Sequence, residues 1–293
     1  MKIIFIGSVI FSKEILKHLL KKKIKISLII TKKIDSKKSD KTDLNPIAQK
    51  NKIPCLYVKN INDKKNIKLI KSYKPDVIFC LGWSELLKEK ILNIPTVGTI
   101  GYHPSDLPLN RGRHPIIWSL VKGLKKTAST FILINKGTDT GDIISKNKIL
   151  INFHDDADKL YKKLIKSAKK QIEVIVHNLN KNKLKIRVQD KSKSNYCRKR
   201  SYNDGKIDWR MTANSIHNLV RALAKPYDGA HFIFNSKEYK VWKVKILNNK
   251  YMNLECGKII KVIKNMPLVK CGENSILVKK FTPKLRFKKG MYL

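Results

Sequence analysis

Four short apolar runs, at 2–7, 24–31, 54–58 and 75–81, alternate with segments of helical periodicity across the first 81 residues. After Gly7-Ser8 the positions Ile15, Leu16, Leu19 and Leu20 recur at the spacing of one helix face. Residues 45–52 read as a short helix and 61–73 carry the same period. Strands of this kind, each followed by a helix, suit a parallel sheet, because successive parallel strands need a long crossover between them. The expected fold class is therefore α/β, a doubly wound sheet with helices on its faces. In such sheets ligands sit beyond the carboxyl ends of the strands. That rule directs attention to Leu81-Gly-Trp-Ser84 and to the loop 101–115.

Further along, 130–135 and 144–151 read as strands and 155–180 as a long amphipathic helix, while 32–43 is polar and charged and is expected to be an exposed loop. The polar, basic stretch 181–200 is expected to be a linker. After a turn at 203–209 and a helix at about 212–224, strand-like segments follow at 229–235, 238–247, 257–263, 267–271 and 275–280. These imply a smaller C-terminal α+β unit that ends in a β-rich, barrel-like half. A chain of 293 residues is long enough for two domains, expected here at 1–185 and 186–293.

Composition removes several classes of function. No apolar run reaches the roughly 18 residues of a membrane helix, so no membrane partner is expected. The first residues, Met1-Lys-Ile-Ile-Phe-Ile-Gly7, read as a buried strand rather than a signal peptide, and the chain is expected to be cytoplasmic. Cys55, Cys80, Cys197, Cys256 and Cys271 are scattered without a Cys-x-x-Cys pair, so neither a metal site nor a disulfide framework is expected. Lys and Arg number 64 against 22 acids, a net charge of +42. Most of the excess is lysine spread along the whole chain, mixed with Ile and Asn. This suits a bias toward AT-rich codons as well as it suits a nucleic-acid face, and no function is assigned to it.

The chemistry is concentrated in two turns. Gly101-Tyr-His-Pro-Ser-Asp-Leu-Pro-Leu-Asn-Arg-Gly-Arg-His-Pro115 puts His103 in a Pro- and Gly-punctuated loop after an apolar strand. Gly137-Thr-Asp-Thr-Gly-Asp142 puts Asp139 in a second turn, 36 residues later. Two such turns can hold an acid/base pair at the mouth of an α/β sheet. Histidine, with a reference pKa near ~6.5, both takes and returns a proton at neutral pH, and a carboxylate beside it stabilises the imidazolium. The other histidines considered, His114, His154, His177, His217 and His231, have no comparable partner motif and read as structural. Asp142 suits a second carboxylate of the site or a cap at the entry of the next strand, Asp106 reads in the same way, and Trp83 suits either a pocket wall or the core. The segment Gly7-Ser-Val-Ile-Phe-Ser12 matches no phosphate-loop or dinucleotide fingerprint.

Together the His103 loop, the run Arg111-Gly-Arg-His-Pro115 and the Asp139 turn resemble the folate-dependent formyltransferases, whose members formylate methionyl-tRNA, glycinamide ribonucleotide or amino sugars. Asp204-Gly-Lys-Ile-Asp-Trp209 and Arg221-Ala-Leu-Ala-Lys-Pro-Tyr-Asp-Gly-Ala230 extend the likeness to most of the chain. The resemblance implies a Rossmann-like formyltransferase domain at 1–185 and a C-terminal domain that carries any homodimer contact. It also implies transfer of a formyl group from 10-formyltetrahydrofolate, without a metal. His103 and Asp139 are the implied catalytic residues. Folate contacts carried over by position are Glu85, Leu86, Leu87, Arg113, Asn135, Lys136, Gly137, Thr138 and Asp139. Asn110, Arg111, Lys225 and Tyr227 are the implied acceptor contacts. Arg113 suits a folate carboxylate or a substrate phosphate equally, and Lys225-Pro-Tyr227 suits a packed turn or a lip over a nucleotide.

One position departs from the family pattern Asn-x-His. Gly101 stands where the asparagine would be, so the oxyanion of acyl transfer must be met by His103, a backbone N–H, Ser105 or Ser84. The Gly-Tyr-His form of the loop is similar to enzymes acting on nucleotide-linked deoxyamino sugars. The expected acceptor is such a sugar, with methionyl-tRNA as the alternative.

Overall fold

A computed structural model describes residues 1–34, 40–248 and 253–293; part of the loop expected at 32–43 lies outside the described residues. The chain runs β1 (Ile3–Ile6), α1 (Ile10–Lys21), β2 (Leu28–Thr31), α2 (Asn45–Lys50), β3 (Cys55–Tyr57), α3 (Lys64–Ser72) and β4 (Val77–Cys80). It continues with α4 (Glu89–Leu92), β5 (Gly98–His103), β6 (Arg111–Gly112), α5 (Pro115–Val121), β7 (Lys126–Leu133) and β8 (Ile143–Leu150). The remainder is α6 (Ala157–Asn180), β9 (Tyr196–Cys197), α7 (Ala213–Ala222), β10 (Ala230–Phe234), β11 (Lys237–Leu247), β12 (Ile259–Ile263), β13 (Met266–Lys270) and β14 (Ser275–Thr282). Two compact units result. The first comprises 1–115, 127–149 and 162–197, the second 116–126, 150–161 and 198–293.

The first unit is built on a seven-stranded sheet of order β3-β2-β1-β4-β5-β7-β8. From β3 to β5 every pairing is parallel, and β7 then joins β5 antiparallel, which makes the sheet mixed. The reason lies in the residues: β1, β2 and β4 are Ile-Ile-Phe-Ile, Leu-Ile-Ile-Thr and Val-Ile-Phe-Cys, buried at every position. Strands covered on both faces need apolar side chains on both. Burial of each large side chain contributes roughly 1.5–3 kcal/mol. On one side Ile4, Ile6, Leu28, Ile30, Ile78 and Cys80 pack with Ile61, Ile70, Leu87 and Ile91. Helix α1 buries Phe11, Ile15, Leu16 and Leu19, most of the stripe read from the sequence.

His103 was expected in a loop, and the structure instead makes it the last residue of β5. It pairs with Thr130 across the antiparallel β5–β7 ladder. The next residue, Pro104, has no N–H to extend the ladder, so the strand stops there. Strand β7 begins at Lys126, four residues before the expected start at Thr130.

In the second unit five antiparallel strands form a sheet of order β10-β11-β14-β13-β12, joined by α7. All five lie within two residues of the segments read from the sequence. Helix α7 is capped by Thr212, whose side chain accepts from the Ser215 N–H and so satisfies one of the first-turn donors.

Candidate active site

The site grows from the carboxyl end of β5. The His103 ring is buried, and its Nε2 lies 2.8 Å from the Asn110 carbonyl oxygen. A carbonyl only accepts, so Nε2 carries a proton and donates it there. The other nitrogen, Nδ1, then faces the Asp139 Oδ1 at 3.5 Å. Both ring nitrogens thus face acceptors, a carbonyl at Nε2 and a carboxylate at Nδ1, which fixes the orientation of the ring.

Asp139 is held from two directions. Its Oδ2 accepts from the Gly112 N–H at 2.8 Å, and its backbone carbonyl accepts from the Gln189 side-chain amide at 2.9 Å. Gly112 is required for this approach: its φ is +96°, and a Cβ there would lie 2.4 Å from the Cys197 carbonyl oxygen. Asn110 and Asp139 themselves adopt left-handed backbone, with φ +57° and +54°. Such conformations are uncommon outside glycine and gather at functional turns.

Most of the segment expected to be a linker, up to Cys197, is part of the first unit. Tyr196 and Cys197 form β9, which pairs in parallel with Arg111 and Gly112 of β6. Ile143 and Arg187 bridge through a pair of backbone hydrogen bonds. The Gln189 amide also donates to the Gly141 carbonyl at 2.6 Å, and its Oε1 accepts from Arg111 Nη2 at 2.8 Å. Sequence reasoning missed Gln189, because a lone glutamine in a polar stretch carries no spacing signal.

Arg111 was expected at the acceptor. It is 2% exposed, and its guanidinium donates to Gln189 and to the Tyr196 hydroxyl. Asn110 is buried beside His103, and Lys225 and Tyr227 belong to the second unit, where the Lys225 ammonium lies 4.7 Å over the Trp242 ring. Of the residues expected at a folate, Glu85 is bound by the Lys32 ammonium and accepts from the Ile61 N–H at 3.3 Å. Leu86 is 63% exposed, whereas Leu87 is buried in the core cluster. Arg113 and Thr138 are exposed. Asn135 closes its own turn by accepting from the Gly137 N–H and the Thr140 hydroxyl, and Lys136 pairs with Glu89 at 2.9 Å. Trp83 packs against the core cluster with Lys32 above its ring, 4.9 Å from the centroid.

Gly101 is buried, and a Cβ there would lie 2.7 Å from Ile134 Cγ1. Ile134 therefore fills the space that a side chain at 101 would need. Ser105 is also committed, its hydroxyl donating to the Leu109 carbonyl at 2.9 Å, while Ser84 is exposed.

Residues 1–176 match the family model for formyl transferase, and 199–289 match that for the formyl transferase C-terminal domain. The bifunctional polymyxin resistance protein ArnA of Wigglesworthia glossinidia brevipalpis is 37% identical over 236 residues, which are 80% of this chain and 36% of that longer protein. The methionyl-tRNA formyltransferase of Caldanaerobacter subterraneus subsp. tengcongensis is 30% identical over 283 residues, 95% of this chain and 91% of its own. A similar fold is found in WlaRD, a sugar 3N-formyl transferase solved with dTDP and 5-N-formyl-THF. Its TM-score is 0.72 at 21% identity, covering 97% of this chain and 99% of that one.

Proposed function

The chain belongs to the formyl transferase family, and from that premise we propose that it moves a formyl group from 10-formyltetrahydrofolate to the amine of a nucleotide-linked deoxyamino sugar. The observation that carries the proposal is the buried His103 ring, with Nε2–H fixed on a carbonyl and Nδ1 facing Asp139 at 3.5 Å. The donor set suits a folate: an exposed apolar side chain at Leu86, an exposed guanidinium at Arg113, and the main-chain groups of the 135–139 turn. A flat heteroaromatic ring with a carboxylate-bearing tail calls for such a mixture. When bound, the folate supplies the formyl carbon that the acceptor amine attacks.

His103 performs the proton transfers. Its Nδ1 takes the proton that the attacking amine loses and gives one to the departing nitrogen, work typically worth 10²–10⁴-fold in rate. Asp139 favours the imidazolium formed in between. With Gly101 offering no amide and Ser105 bonded to Leu109, the oxyanion is left to the imidazolium, a peptide N–H or Ser84.

The Gly-Tyr-His loop supports the sugar acceptor, as does the likeness to a sugar formyltransferase along nearly the whole chain. Methionyl-tRNA is the second reading, favoured by the 30% identity to a methionyl-tRNA formyltransferase and by the net charge of +42. The site assignment is tested by His103→Ala and Asp139→Asn. Each is expected to lower turnover at least ~100-fold while the protein still folds and binds the folate. A near-normal rate in either variant contradicts it.

A further inference from the structure

Gln189 ties the Asp139 turn to a buried cation. It is 4% exposed, and all its polar atoms are used. The amide nitrogen donates to the carbonyls of Asp139 and Gly141, at 2.9 and 2.6 Å, and the amide oxygen accepts from Arg111 Nε and Nη2, at 3.3 and 2.8 Å. Arg111 itself is fixed by β6–β9 pairing and by the Tyr196 hydroxyl at 3.3 Å. Its neighbour Gly112 donates to the Asp139 carboxylate. The turn it grips is an unfavourable one for a residue with a side chain, because Asp139 sits at φ +54°. Left alone, such a turn relaxes toward ordinary backbone and carries its carboxylate away from His103. Both carbonyls flanking Thr140 are pinned by a single amide, which removes that freedom.

We infer that Gln189, clamped by Arg111, is a positioning residue for the reaction: it holds the Asp139 carboxylate against His103 and touches neither substrate nor folate. The inference rests on the proposed role of the His103–Asp139 pair. It also reassigns Arg111, from a ligand contact to the anchor of the clamp.

The test is a double-mutant cycle between Gln189→Leu and Asp139→Asn, with kcat, both KM values and the thermal midpoint measured for each protein. Gln189→Leu keeps the side chain's reach and removes its hydrogen bonds. It is expected to lower kcat about 10- to 100-fold, as a misplaced catalytic group does, with KM for donor and acceptor within about 3-fold of wild type. In the Asp139→Asn background the same substitution is expected to change kcat less than about 2-fold, since the group it positions is already lost. A Gln189→Leu enzyme with wild-type kcat overturns the inference, and so does an equal further loss in the Asp139→Asn background. If Gln189→Leu fails to fold, Gln189→Glu, which keeps the acceptor for Arg111 and loses the donor, is read through the same cycle with the same two outcomes. An Asp139→Asn enzyme that is itself near wild type contradicts instead the role of the pair.

Discussion

At residue 101 a packing decision and a chemical one coincide. With no side chain there, Ile134 moves its branch into the space, 2.7 Å from where a Cβ would stand, and joins the hydrophobic cluster behind β4. A β-branched side chain has few rotamers to retreat into. Gly101→Ala is therefore expected to destabilise the chain by about 1–3 kcal/mol through overpacking. Pairing it with Ile134→Ala should return part of that loss. Chemical denaturation of the single and double variants checks this, and an unchanged midpoint for Gly101→Ala alone contradicts the packing account. The same contact explains why an amide cannot simply be reinstalled at 101: the neighbour must shrink first.

Among the elements, α7 carries a titration signature. His217 stacks on Phe153 with ring centroids 4.6 Å apart and planes within 8°. Burial first, then the nearby charges of Arg221 and His154, lower its pKa to about 4. An unfolded histidine titrates near ~6.5. Between these values the unfolded chain binds the proton and the folded chain does not, so stability falls as pH drops through that window. His217→Phe keeps the ring stack and removes the titration. It is expected to flatten the loss of stability between pH 6.5 and 4, measured by urea unfolding across that range. An identical slope in the variant contradicts the assignment.

The elements also differ in how legible they were. The buried strands β1, β2 and β4 announce themselves by composition, and the antiparallel strands of the second unit by short runs between turn residues. The short pair β6 and β9 could not be read, because two-residue strands have no period and exist only through a pairing distant in sequence. The polar, basic composition of 181–200 made it read as a linker, although it supplies Gln189 and Tyr196. The histidine and aspartate of the site stood out from their motif. The Gln189 amide and Arg111 guanidinium, proposed to position them, have no motif that marks such a role.

For the whole molecule, the excess of basic residues is the feature on which the two acceptors differ most. An RNA acceptor held through 6–10 phosphate contacts loses roughly 10³–10⁵ in affinity between 50 and 200 mM salt. A nucleotide-linked sugar presents only a short phosphate linkage, so its KM is expected to change by no more than about 10-fold over that range. Steady-state rates at the two salt concentrations measure this. The most direct test of the account supplies the chain with 10-formyltetrahydrofolate and offers, separately, a panel of nucleotide-linked deoxyamino sugars and methionyl-tRNA, following transfer of labelled formyl to each. The account predicts N-formylation of a nucleotide sugar that is abolished by His103→Ala. Formylation of methionyl-tRNA with no transfer to any sugar in the panel would contradict it.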